Sequence, residues 1–330
     1  VEGIENTRVL LTGSSGFIGS HLGRKLLEMG ADLHLLDLPG RLDFRIRDYS
    51  DKAHVHEADL GDLESLKEII QEIRPELVFH LASITSVERS LERAAEITRN
   101  NLIGTINLVS ALNGIPYRRF VNTGTCEEYG DNLAPFKEEQ TVNPVSPYSA
   151  AKAASTIFCG MFQRTLGLPI VTVRPFLTYG PFQDTKMLIP HTIVSALRGK
   201  SFKMTGGKQT REFNYISDIV NGFILAATAP DTIGRIINIG NGIEYPVRRV
   251  VEKILRIMNS DIRPEIGAIP YRAGETWHFY CDNERARRLL GWSPRVSLDE
   301  GLEKTISWYR KAFESGELFE YFPGASVDSR

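Results

Sequence analysis

The 330-residue chain is 42% hydrophobic and 24% charged, which excludes intrinsic disorder and supplies enough apolar side chains for a large buried core. Lys+Arg 39 against Asp+Glu 41 gives a formal charge of -2, so no excess of either sign draws the whole surface to nucleic acid or to an anionic membrane. Three scattered cysteines exclude a disulfide framework, no apolar run approaches the ~20 residues that span a bilayer, and the first residues lack the basic and apolar regions of a secretory signal, so a cytoplasmic enzyme is the expectation.

Val9-Leu10-Leu11-Thr12 reads as a buried strand running into Gly13-Ser14-Ser15-Gly16-Phe17-Ile18-Gly19, a glycine-spaced turn that opens a helix through Leu22, Leu26 and Leu27. A turn free of obstructing side chains lets backbone N–H groups and the positive helix end meet a pyrophosphate. The spacing is G-x-x-G-x-x-G rather than the commoner G-x-G-x-x-G, so the context carries the reading. A second apolar segment, residues 33–36, ends in Asp37, eighteen residues beyond Gly19. A carboxylate there accepts from both ribose hydroxyls and repels the 2'-phosphate of NADP, so NAD is the expected cofactor.

Residues 40–52 read as loop or short helix, and 53–56 as a brief strand. Asp59 follows at the crevice edge, where it either accepts from the adenine amino group or caps the helix beginning near Asp62; both readings stay open. Helical spacing runs from Leu63 to Ile73 until Pro75 closes it, and residues 77–83 form a buried strand whose small Ala82 and Ser83 let a cofactor approach. Residues 94–113 are a long helix. Gly104 inside it costs ~1 kcal/mol relative to alanine, which points to crowding against a neighbouring backbone.

The strand at 119–123 ends in Thr123 and delivers Gly124-Thr125-Cys126-Glu127-Glu128-Tyr129-Gly130 to the sheet edge. Pro144 and Pro147 make a rigid lead into a helix carrying Tyr148 and Lys152, which share a face because they lie four apart. The phenol has a reference pKa near ~10, and an adjacent ammonium stabilises the phenolate and brings Tyr148 toward working pH as a general base. Thr125 can donate to the same substrate hydroxyl. His54 and His56 alternate on a short strand and His80 ends a buried one, with no acidic or thiol cluster of ligand spacing beside them, so no metal centre is expected. Aromatic and basic residues are not interleaved as in single-strand nucleic-acid binders.

Together with Asp59-Leu60, His80-Leu81-Ala82, Thr125-Cys126-Glu127-Glu128-Tyr129-Gly130 and Tyr148-x-x-x-Lys152, the glycine turn resembles that of the extended short-chain dehydrogenase/reductase family acting on nucleotide sugars. The likeness continues through Arg174-Pro175-Phe176-Leu177-Thr178-Tyr179-Gly180-Pro181, Arg211-Glu212-Phe213-Asn214-Tyr215 and Leu289-Leu290-Gly291-Trp292. It implies an α/β fold: a Rossmann-type doubly wound parallel sheet with a smaller interleaved C-terminal substrate domain. Residues 1–173 would bind NAD, with return segments about 214–240, and 174–330 would mainly bind the nucleotide sugar. In the second part, patterning predicts helices at 189–197, 247–258 and 300–313, a strand-turn at 202–209, and little to order the tail 323–330.

The resemblance further implies NAD used in a closed redox cycle. Gly13, Ser15, Gly16, Phe17, Ile18, Gly19, Asp37, Asp59, Leu60, Leu81, Ala82, Ser83, Thr123, Tyr148 and Lys152 would contact it. Arg211 and Arg272 would hold the diphosphate of a nucleoside-diphosphate sugar, as paired charge-assisted donors. A homodimer would form through the helices of 94–113 and 148–165, whose stripe Ile157, Phe158, Met161 and Phe162 also suits an internal core. Leu177 stands where many relatives place an asparagine, so a familiar sugar specificity does not transfer.

The reaction turns on Thr125-Cys126-Glu127. Dehydratases of this family place glutamate at the position of Glu127, where it removes the C5 proton of a 4-keto sugar as water leaves C6; many place aspartate at the position of Cys126 to protonate the leaving hydroxyl. Here the Cys126 thiol is either the donor or a buried structural group. The leading expectation is a 4,6- or 5,6-dehydratase acting through a transient 4-keto sugar. The alternative is a 4-epimerase, for which Thr125, Tyr148 and Lys152 suffice; behind both stand a glucuronate decarboxylase and an NADPH-dependent ketosugar reductase. The nucleotide base stays open.

Overall fold

The computed structural model describes residues 3–40, 44–86, 88–272 and 274–323, so the expectations for 41–43 and for the tail from 324 lie outside the described residues. In chain order the strands are β1 (Arg8–Thr12), β2 (Asp32–Asp37), β3 (His54–Glu57), β4 (Leu77–His80), β5 (Arg119–Thr123), β6 (Ile170–Pro175), β7 (Thr178–Tyr179), β8 (Lys203–Met204), β9 (Thr210–Glu212), β10 (Asn214–Tyr215), β11 (Ile236–Ile239), β12 (Glu244–Pro246) and β13 (Glu265–Ile266). Seven of them form one parallel sheet in the order β11-β6-β5-β4-β1-β2-β3. The chain leaves β1 toward β2 and β3, then crosses back to β4, β5, β6 and β11. This reversal puts a topological switch point between β1 and β4, where a doubly wound sheet opens a crevice at its C-terminal edge.

Consecutive residues Val9, Leu10 and Leu11 are all buried because both faces of the sheet are covered. On one face α1 (Phe17–Glu28) packs with α7 (Ile216–Thr228) and α9 (Glu284–Leu290), joined by Trp292, whose indole N–H donates to the Asp218 carbonyl at 2.9 Å. On the other lie α2 (Leu63–Ile73) and the long helix of 94–111, with α5 (Pro147–Leu166) beyond them. A smaller lobe of α6 (Leu188–Leu197), α8 (Val247–Ile257), α10 (Leu298–Glu314) and α11 (Glu317–Tyr321) closes around a separate core that includes Ile193, Ile254, Leu302 and Tyr309. Among the described residues no helix is long and apolar enough to cross a membrane.

Four local expectations are refined. The long helix is α3 (Ala94–Thr98) and α4 (Gly104–Ala111) joined by a π-helical turn, Arg99–Ile103. Nothing in the apolar spacing marks that turn. It holds Asn101, whose amide accepts from Ile84 N at 2.8 Å and donates to Ile84 O at 3.0 Å, tying the segment after β4 to the helix. Gly104 is crowded by a side chain rather than a backbone, since a Cβ there would stand 2.8 Å from Leu60 Cβ. The cap of α2 is Asp62, which accepts from Ser65 N at 3.2 Å, not Asp59. Residues 44–52 contain two short 3-10 turns, Phe44–Ile46 and Ser50–Lys52.

Candidate active site

The glycine turn is shaped by contact with the next strand of the crevice. Gly13 has φ +72, and a Cβ there would lie 2.6 Å from Ala82 N; a Cβ at Gly19 would fall 2.1 Å from the Gly13 carbonyl oxygen. The first glycine thus lets the turn lie against the end of β4, and the last lets α1 close onto the turn. Gly16, Phe17 and Ile18 begin α1 at the mouth of the turn. Asp37, at the end of β2, is fastened there: its Oδ2 accepts from Ser14 Oγ at 2.9 Å and from Ser15 N at 2.8 Å. Asp59 is half-exposed at the same edge, accepting from Gly61 N at 2.7 Å with Arg99 3.5 Å away, while the Leu60 carbonyl is held by Asn107 Nδ2 at 2.9 Å.

Four buried polar atoms in this crevice have no hydrogen-bond partner among the described residues: Ser15 Oγ, Ser83 Oγ, Thr123 Oγ1 and Lys152 Nζ. Each buried polar group left unpaired costs roughly 1–3 kcal/mol. They lie just beyond the ends of β1 and β4, at the end of β5, and on α5, with Leu81 and Ala82 partly buried among them. Three hydroxyls and an amine spread along three neighbouring strand ends suit a long ligand rich in phosphate, ribose and amide groups, and a dinucleotide fits that description.

Behind the crevice, His80 is fully buried between two threonines, Nδ1 2.8 Å from Thr12 Oγ1 and Nε2 2.9 Å from Thr105 Oγ1. Thr105 spends its proton on the Asn101 carbonyl at 2.8 Å, so it accepts from His80 Nε2–H, and Thr12 donates to Nδ1. Burial and then the Lys152 charge push the imidazole down to about 3, which keeps it neutral in this role. Ser155, one turn beyond Lys152, donates to Thr105 Oγ1 at 3.2 Å, so the network also fixes α5.

Thr125 starts a 3-10 turn, Cys126–Tyr129, with a reciprocal cap: its side chain accepts from Glu127 N at 3.3 Å, and its own N–H donates to Glu128 Oε1 at 2.8 Å. Glu128 is fully buried and clamped by Arg174, whose Nε and NH2 donate to Oε2 at 3.0 and 2.7 Å, and by Thr156 Oγ1 at 3.1 Å. Sequence reasoning assigned Glu128 no role; it anchors the turn that presents Thr125 to the crevice. Ser146 caps α5 with Pro147 in the first turn, and the helix carries Tyr148 and Lys152 inward, 8% and 1% exposed.

Burial raises the Tyr148 phenol above its ordinary value, the Thr125 hydrogen bond opposes the rise, and the acids Cys126, Glu127 and Glu128 add to it. Burial lowers Lys152 to about 8 against the pull of Glu128. The Thr125 hydrogen bond thus favours the phenolate. Burial also raises the Glu127 carboxyl, against the charges of Arg211, Arg272 and Arg89, so three guanidiniums converge on the acid side of the site. Arg211 is held by Glu275 at 2.6 Å and by the Thr276 carbonyl at 2.8 Å; Arg272 is exposed. Arg89, also exposed, has no periodic sequence signal; only its place just after β4, in the segment leading from the crevice, could have singled it out. Cys126 lies in an apolar cluster with Tyr129, Phe136, Phe176 and Phe279, and burial followed by the Glu127 and Glu212 charges holds its thiol well above the usual value. Leu177 packs on the same cluster and supplies an apolar wall.

Comparison with known proteins agrees with this geometry. The family model described as GDP-mannose 4,6 dehydratase matches residues 10–305. A UDP-glucose 4-epimerase of Mycolicibacterium smegmatis is 34% identical over 317 residues, covering 92% of this chain and 98% of that protein. Among solved structures, a UDP-glucose 4-epimerase of Thermotoga maritima with UDP-glucose superposes with a TM-score of 0.86 at 31% identity, covering 92% of this chain and 99% of that one. A UDP-glucuronic acid 4-epimerase of Bacillus cereus, solved with UDP-glucuronic acid and NAD, gives 0.83 at 27% identity over 92% and 99%. Matched by the family model over residues 10–305 and by such relatives over nearly its full length, the chain is an enzyme and belongs to the extended short-chain dehydrogenase/reductase family of NAD-dependent nucleotide-sugar epimerases and dehydratases.

Proposed function

We propose that this enzyme is a nucleotide-sugar 4-epimerase that retains NAD, with a nucleoside-diphosphate hexose as substrate. The observation that carries this over dehydration is Cys126. A general acid works best with a pKa near the operating pH, and a thiol pushed far above its usual value inside an apolar cluster is a poor proton donor to a departing hydroxyl. The relatives divide between 4-epimerases and 4,6-dehydratases, and the Thermotoga, Bacillus cereus and Mycolicibacterium epimerases support the same choice.

When bound, NAD supplies a hydride acceptor that later returns the hydride, so none is consumed. In this reading Asp37 binds the adenosine ribose, the turn from Gly13 to Gly19 receives the pyrophosphate, and Asp59 with Leu60 flanks the adenine. The polar atoms of Ser15, Ser83, Thr123 and Lys152, without hydrogen-bond partners among the described residues, would bond the dinucleotide. Tyr148 takes the proton from the sugar O4 and returns it, while Thr125 holds the same oxygen. Lys152 favours the ionised phenol once a ligand bridges the two side chains. Arg211, Arg272 and Arg89 bind the diphosphate, Arg211 exchanging its present carbonyl and carboxylate partners for phosphate oxygens. The apolar wall of Leu177 leaves the ketosugar free to turn its other face to the cofactor.

A second reading, dehydration, rests on Glu127: a carboxyl raised by burial beside the reacting sugar can take a C5 proton and pass it on to the leaving hydroxyl. Incubation with UDP-, dTDP-, CDP- and GDP-hexoses, with products read by mass and NMR, separates the two. Inversion at C4 at unchanged mass supports epimerisation, and loss of water refutes it. We further propose a homodimer through the helical segment 94–111 and α5, because Ile103 at the end of the π turn is 42% exposed and Ile157 and Phe158 on α5 are 59% and 37% exposed.

A further inference from the structure

At the end of the sheet remote from the crevice, parallel pairing of β2 with β3 collects three imidazoles and a carboxylate. The register sets His34 opposite His54 and Leu36 opposite His56, so Asp32, His34, His54 and His56 share one face. The His34 ring stacks on His54 at 4.6 Å with planes 20° apart and lies 5.3 Å from His56 at 22°. Asp32 Oδ1 stands 3.3 Å from His54 Nε2 and 3.6 Å from His34 Nε2, and one ligand atom from each of the three residues lies within 4.8 Å of the others. A tetrahedral zinc site with ligands at ~2.0–2.1 Å needs ligand atoms about 3.3–3.4 Å apart, so small side-chain rotations close this set around an ion.

The hydrogen bonding of His34 is what calls for a cation. Its Nδ1 lies 3.0 Å from His56 Nε2, so one ring donates to the other. With His34 Nδ1–H as donor, the buried Nε2 presents a lone pair to the Asp32 carboxylate, and two acceptors face each other. With the opposite tautomer, Nε2–H faces Oδ1 at 3.6 Å, beyond hydrogen-bond length, and finds no hydrogen-bond acceptor among the described residues. An ion between His34 Nε2, His54 Nε2 and Asp32 Oδ1 resolves both conflicts and selects the first tautomer, in which the bond from His34 Nδ1–H to His56 orients the ligating ring. We propose that Asp32, His34 and His54 form a divalent transition-metal site of zinc type, oriented by His56, with its fourth corner open to water and separate from the nucleotide crevice. Bound metal clamps β3, the edge strand of the sheet, to β2.

The test is titration of chelator-stripped protein with zinc chloride alone, by calorimetry and thermal melting. One equivalent should bind and raise the melting temperature. His54 is 65% exposed, so His54→Asn leaves the fold in place; it and Asp32→Asn should each weaken binding at least ~10-fold and abolish the thermal shift, and His56→Leu should weaken binding about 10–100-fold. Cobalt(II) substitution should give the visible absorption of a four-coordinate site in the unaltered chain and lose it in His54→Asn. Failure of zinc to bind, or equal binding by His54→Asn and Asp32→Asn, would overturn the assignment.

Discussion

At the residue scale the proposed reaction rests on Tyr148 and not on Cys126. Tyr148→Phe removes the proposed general base for the O4 proton and should lower kcat by about 10²–10⁴-fold while bound dinucleotide is retained, as steady-state rates and the absorbance of the purified protein will report. Lys152→Met takes away the cation that favours the phenolate, so the rising limb of the kcat–pH profile should move to higher pH; a limb that stays in place would mean Thr125 alone tunes the phenol. Cys126→Ala should leave the rate within about threefold, because the proposed epimerisation asks no proton of this thiol, which lies in an apolar cluster. Tyr148 and Lys152 were legible because a four-residue spacing on a helix brings them to one face whatever the rest of the fold does. Glu128 and His34 were not. The partner of Glu128, Arg174, comes from another strand, and the neighbours of His34 are set by strand register, so neither pairing leaves a mark along the chain.

The turn that carries Thr125 depends, at the scale of elements, on the buried Glu128–Arg174 pair linking it to β6. Glu128→Gln leaves the guanidinium buried without its counter-charge and should destabilise the fold by about 3–5 kcal/mol in urea unfolding. Glu212 in β9 gives a pH-dependent counterpart. Burial raises its carboxyl from 4.5 to about 7, despite hydrogen bonds from Asn214 and the Cys281 backbone. The folded chain therefore binds the extra proton, and the stability this group contributes is complete below 4.5 and lost as pH rises through about 7. Thermal melts of Glu212→Gln should thus gain on the unaltered chain between pH 5 and pH 8; an unchanged difference would contradict the assignment. Amphipathic helices such as α2 and α8 were readable because one face meets a core. The π turn at Arg99–Ile103 was not, because it is set by Asn101 reaching the backbone at Ile84.

At the scale of the whole molecule, alternation of apolar strands with amphipathic helices made the doubly wound sheet legible, whereas the cluster around Cys126 brings together residues 126 to 281 and could be seen only in three dimensions. The exposed Ile157 and Phe158 on α5 should be covered in a dimer, so light scattering should give twice the 37.0 kDa chain mass, and Ile157→Glu with Phe158→Glu should give monomers; a monomeric unaltered chain would refute that interface. The proposed epimerisation releases nucleotide-sugar product without net consumption of NAD. The most direct test is proton NMR of the enzyme incubated with UDP-glucose and dTDP-glucose: the account predicts interconversion to the C4-inverted hexose at unchanged mass, and formation of a 4-keto-6-deoxy sugar with loss of water would contradict it.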